Sequence, residues 1–131
     1  MKITPGILIL MCILLSGCFE KNVEDPERVY NFWPHEKFPE GTSIKKARYW
    51  KSAHFTYEYD IHFELKPKRG KAEFMTERRL FKLENFYLSI PSSPGWFPAP
   101  DNSNLYRSSL DDAYYIIPPD SNSIYVTDAH Y

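Results

Sequence analysis

From Ala53 to Leu65 apolar and polar side chains alternate without a break. Phe55, Tyr57, Tyr59, Ile61, Phe63 and Leu65 take one parity, and His54, Thr56, Glu58, Asp60, His62 and Glu64 take the other. A period of two carried by aromatic and β-branched residues predicts a strand with one face in the core and one in water. At about 3.3 Å per residue such a strand would run about 40 Å, so a bulge or bend within it is expected. Lys46 to Trp50, just upstream, offers a shorter partner.

The other elements are weaker. Asp25-Pro26-Glu27-Arg28 carries a helix start, with aspartate as N-cap, proline at the first helical position and an acid in the first turn. Val29, Phe32 and Trp33 then share a face before Pro34 ends the helix. Lys66-Pro67-Lys68-Arg69-Gly70 interrupts the main strand, and Lys71 to Phe81, free of Gly and Pro, predicts a second helix. Its stripe is imperfect: Phe74 and Phe81 lie together on a helical wheel, with Met75 to one side and Leu80 opposite. Phe86, Leu88 and Ile90 suggest a short extended stretch, and Pro91 to Asn104, with four prolines, a long stiff loop. Tyr114–Ile117 and Ile124–Val126, joined by a proline-rich turn, form a hairpin pattern. These elements sum to an α+β domain, a small antiparallel sheet of about four strands with one main helix packed on its aromatic face.

The first eighteen residues follow a different logic. Lys2 precedes an apolar run from Gly6 to Leu15, too short at about ten residues to span a bilayer core, which takes roughly 20. The run ends at Leu15-Ser16-Gly17-Cys18, which resembles the lipobox of bacterial lipoproteins. That resemblance implies cleavage between Gly17 and Cys18, a diacylglycerol on the Cys18 thiol and acylation of the new amino group. Residues 1–17 are then a signal peptide, 18–24 an acylated cysteine with a tether, and 25–131 a single globular domain. Each buried methylene adds about 0.8 kcal/mol to membrane residence, so several chains hold the protein at the bilayer without a further anchor. In Gram-negative lipoproteins an aspartate after the cysteine favours the inner membrane; Phe19 here makes the outer membrane the expected location.

Composition narrows the rest. Removing the leader leaves about 114 residues, one ordinary domain. Aromatic residues make up 17 % of the chain, enough apolar area for a core without metal or disulfide. Both cysteines, Cys12 and Cys18, belong to the leader and its cleavage site, so the mature domain lacks a disulfide, a cysteine nucleophile and a cysteine zinc site. The net charge is −1, with basic residues interspersed among acidic ones, which argues against nucleic acid as a partner.

Candidate chemistry is sparse. Glu58, Asp60 and His62 share a strand face at about 7 Å intervals, and with His54 they resemble the beginnings of a metal site, although the favoured reading is a solvated face whose charges keep the sheet soluble. His35-Glu36-Lys37-Phe38-Pro39 starts like a metalloprotease helix, but Pro39 stands where the second histidine belongs. Asp120-Ser121-Asn122 opens like a calcium loop and lacks the later glycine and glutamate. There is no nucleophile elbow and no glycine-rich phosphate cradle. Trp96, Phe97 and Tyr106, in or beside the proline-stiffened loop, offer a preorganised aromatic patch for a protein partner, or plug one end of the core.

The expectation is therefore a membrane-anchored, non-enzymatic envelope lipoprotein without a cofactor, acting as a protein-binding or structural module. An inhibitor or immunity lipoprotein against a toxin, hydrolase or phage factor, and a small metal- or ligand-binding lipoprotein, are the alternatives.

Overall fold

The computed structural model describes residues 4–7, 9, 21–53, 58–85, 88–90, 93–101 and 104–130. In chain order the elements are β1 (Lys21–Val23), α1 (Pro26–Tyr30), β2 (Thr42–Lys51), β3 (Tyr59–Pro67), α2 (Lys71–Glu77), β4 (Leu80–Lys82), β5 (Leu105–Ser108), β6 (Tyr114–Ile116) and β7 (Ile124–His130). The strands form one seven-stranded sheet in the order β1-β2-β3-β7-β6-β5-β4. Every neighbouring pair is antiparallel.

This corrects the expected α+β layout of about four strands and one main helix: the sheet is nearly twice as wide, and the helices have five and seven residues. Two local features hid the extra strands. In β2 the pairing slips between Ile44 and Lys46, so Ile44 opposite Leu65 and Ala47 opposite Phe63 face the same side despite opposite parity. A bulge thus breaks the alternation upstream of Lys46, so the partner expected from Lys46 to Trp50 forms and its extension back to Thr42 could not be read. In the segment expected to be helical through Phe81, Arg79 adopts a positive φ of 53°, the chain turns, and Leu80–Lys82 pairs with β5. Phe74 is buried, while Phe81 sits on an edge strand and is half exposed, so the two never share a helical face.

Other expectations shift by a few residues. The helix start at Asp25 is as expected: the Arg28 N–H donates to Asp25 Oδ2 at 3.1 Å, and Pro26 lies in the first turn. Within the long alternating run β3 spans Tyr59–Pro67, Ser52 N–H donates to Glu58 O at 3.0 Å just before it, and residues 54–57 lie outside the described residues. The hairpin near the C-terminus forms from β6 and β7, with β7 extending to His130. Lys21–Val23, expected within the tether, pairs with β2 at one edge of the sheet and buries Val23.

The main core lies on one face, called here the first. Ile61, Phe63, Leu65, Tyr115, Ile124 and Val126 project into it and meet Val29, Trp33, Phe38 and Phe74 from α1, the segment after it, and α2. Phe63 is approached edge-on by Tyr30, Trp33 and Phe38 at centroid distances of 6.1, 5.5 and 5.3 Å. Each such side chain contributes about 1.5–3 kcal/mol of transfer free energy. An internal charge locks this layer. Arg78, at the end of α2, pairs with Asp111 at 2.8 Å, and donates to the Tyr115 hydroxyl at 2.8 Å and to the Lys37 and Glu36 carbonyls at 2.9 Å each. Tyr115 in turn donates to Asp111 at 2.6 Å, so the buried pair is hydrogen-bonded on every side.

Candidate functional site

The second face of the sheet is polar at its centre. Register places Arg48, His62, Thr127 and Tyr114 directly opposite one another across β2, β3, β7 and β6, and Asp60 two residues before His62 on the same side. The expected wet face is not wet: Asp60 and His62 are 0 % exposed and Thr127 is 2 % exposed. The cover is the segment between β4 and β5. The Phe97 ring stands edge-on to His62 at 4.7 Å and to Tyr125 at 5.8 Å. It joins Leu105 and Ile116 in a second apolar cluster, with Leu83, Leu88, Ile90 and Trp96 at its margin. A turn in which Phe97 N–H donates to Pro94 O at 2.9 Å directs the ring inward.

Under that cover, an Asp60 carboxylate oxygen lies 3.3 Å from His62 Nδ1 and 3.6 Å from the Arg48 guanidinium. Burial pushes the His62 pKa below its ordinary value; the Asp60 carboxylate works against the shift and the Arg48 charge adds to it. His62 is therefore neutral at pH 7. Among the described residues its Nε2 and the Thr127 hydroxyl have no hydrogen-bond partner. Asp, His and Thr side by side are the residue types of a nucleophilic relay, but no hydrogen bond joins Thr127 to His62 among the described residues, and the Phe97 ring stands edge-on to the imidazole. Next to Thr127 a cavity of about 210 Å3 opens, lined also by Leu88, Ser89, Ile90, Tyr114 and Ala129.

The candidate metal ligands are not assembled. Asp60 and His62 are sealed, Glu58 is partly exposed outside the strand, and His54 lies outside the described residues. Among the described residues no group of three or more His, Cys, Asp or Glu is placed to hold an ion. The aromatic patch is also divided. Phe97 is buried on the second face, whereas Tyr106, opposite Tyr115 in β5, packs against the first-face core. Trp96 alone keeps an outward aspect, lining an open groove of about 300 Å3 with Glu24, Pro26, Lys45, Lys46 and Ala47. Gly17 and Cys18 lie outside the described residues.

A third constellation was missed from sequence because its members are 93 residues apart. Asp128, buried on the first face, accepts from His35 Nε2 at 2.8 Å and from the Tyr59 hydroxyl at 3.3 Å, and His130 Nε2 stands 3.6 Å away. Burial and the Asp128 charge push the Tyr59 pKa well above its usual range, so the phenol stays protonated as a donor. The cluster ties the segment after α1 to the sheet. No protein-family model, curated protein or solved structure matches the chain.

Proposed function

We propose that this chain is a bacterial envelope lipoprotein, cut before Cys18, acylated there, and carrying a non-enzymatic domain that serves as a protein-binding or structural module. The observation that carries this reading is the leader: Lys2, a short apolar run and Leu15-Ser16-Gly17-Cys18. Ile7 and Ile9 of that run are more than half exposed and take no part in either core cluster, as suits a segment that processing removes. No described helix is long and apolar enough to cross a membrane, so the acyl chains are the anchor in this reading. Phe19 favours the outer membrane.

The domain's polar groups support a non-catalytic role, because its buried charges serve the fold: Arg78 and Asp111 bond to one another, and Asp128 to His35. Trp96 with its groove, lined also by Glu24, Lys45 and Lys46, is the surface offered to an envelope protein. Replacing Cys18 by serine tests the anchor, and the expected product is unacylated and absent from the membrane fraction. A Cys18→Ser protein that stays membrane-bound and processed as before overturns the reading. Trp96→Ala should remove captured proteins from an envelope pull-down, and an unchanged set would leave the structural role alone.

A further inference from the structure

The end of the sheet where β3 finishes is basic. At the opposite end β1 pairs Lys21 with Lys51, which lies beside Tyr59 at the start of β3. β3 runs away from that point to Pro67, roughly 25 Å along the strand. There the chain reads Lys66-Pro67-Lys68-Arg69-Gly70-Lys71. Its cations divide into two groups. Arg69 turns to Glu73 at 3.2 Å, while Lys66, Lys68 and Lys71 line a cavity of about 280 Å3 together with Pro67, Gly70 and Asn122. No carboxylate lines that cavity, and none of the three lysines forms an ion pair among the described residues.

The backbone and stems of this cluster are held in place. Lys68 N–H donates to Gly41 O at 3.1 Å, and a Cβ on Gly41 would come within 3.2 Å of Lys68 Cβ, so this close approach requires glycine. Gly41 also has a positive φ of 82°. Lys71 Nζ donates to Pro118 O at 3.1 Å, which leaves two of its three donors unused. Asn122 arrives from the β6–β7 turn, so the cavity is built from two stretches of chain far apart in sequence.

We propose that this cavity binds a phosphate group, either free or as a soluble phosphate ester. Three lysines lining one space, in a chain of net charge −1, create a local positive field that a single carboxylate would not neutralise. A tetrahedral dianion with several acceptor oxygens matches compact ammonium donors arriving from different directions. The planar fork that pairs bidentately with carboxylate is absent, because Arg69 is engaged by Glu73. The lining residues, Lys66 to Lys71 and Asn122, are remote in sequence from Cys18 and the acylation proposed there. The cavity itself does not depend on that modification.

The test uses the full-length protein, purified from membranes in neutral nanodiscs and titrated at constant ionic strength with inorganic phosphate and with glycerol phosphate. Chloride alone serves as the blank. Saturable binding in the millimolar range is expected, with backbone amide shifts confined to residues 66–71 and Asn122. Lys66→Ala combined with Lys68→Ala should weaken it about tenfold or more, about 1.4 kcal/mol. Lys21→Ala combined with Lys82→Ala, the same loss of charge elsewhere, should leave it unchanged. Tighter binding of glycerol phosphate identifies an ester as the ligand, and equal or weaker binding identifies the free ion. Unsaturable binding, or equal weakening by the two double variants, overturns the proposal. Phosphate binding by a protein found to be unacylated would refute the lipoprotein reading and leave this one standing.

Discussion

On its first face the sheet meets Val29, Trp33, Phe38 and Phe74 with Ile61, Phe63, Leu65, Ile124 and Val126, and ring packs on ring. On its second face the same strands offer Arg48, Asp60, His62 and Thr127, and the cover is an irregular segment whose deepest side chain is Phe97. The buried charges of the first face are bonded, as around Arg78, whereas the polar centre of the second leaves His62 Nε2 and the Thr127 hydroxyl unpartnered among the described residues. The first face is therefore held by apolar transfer and a satisfied ion pair. The second depends on one aromatic plug over groups whose desolvation is only partly offset.

The largest effects should come from the first face. Phe63→Ala removes a fully buried ring touched on its edges by three others, and should lower stability by about 3–5 kcal/mol in urea unfolding. Asp111→Ala leaves the Arg78 guanidinium buried without its counterion, and about 3–5 kcal/mol is expected there too. Arg78→Met in the Asp111→Ala background should recover part of that loss, which a purely steric defect would not allow. Phe97→Ala should cost less, about 2–3 kcal/mol, because water can then reach Asp60 and His62 and offset part of the lost packing. Hydrogen exchange should quicken in β3 and β7 around His62 and Thr127 in that variant, while α1 amides stay protected.

The smallest effect is a dependence on pH. The His62 pKa is lowered by burial, so between its folded value and the ordinary 6.5 the unfolded chain binds the extra proton. The stability contributed by neutral His62 is thus fully present above pH 6.5 and is lost as the pH falls through that value toward the folded pKa. Urea midpoints measured from pH 7.5 to pH 5 should decline in the native protein and decline less in His62→Gln. Equal slopes would mean that the second face is not sealed as described.

The two faces also differed in how far the sequence disclosed them. The first face was legible because Ile61, Phe63 and Leu65 keep strict parity, and the Asp25 cap and the β6–β7 hairpin are local signals. The second was misread because alternation identifies two faces without saying what will cover the polar one. Asp60 and His62 looked solvated until a segment some 35 residues downstream in the chain was seen to close over them. β4 and β5 span three and four residues, too short for any period to show, and β2 was legible only from Lys46 to Trp50 because its bulge breaks the alternation upstream. The His35–Asp128 bond joins residues 93 positions apart and left no local trace. Lys66 to Gly70 was read only as a break after the main strand; the cavity it lines with Asn122, and the fixing role of Gly41, come only from the fold.

Whatever the faces contribute to stability, the functional account begins at Cys18, and its most direct test is the mass of the mature N-terminus in protein taken from native membranes. The account predicts a chain beginning at Cys18, carrying a thioether-linked diacylglyceryl group and an amide-linked acyl chain, with residues 1–17 gone. A chain that still carries Met1, or one that begins at Cys18 with an unmodified thiol and amine, would contradict it.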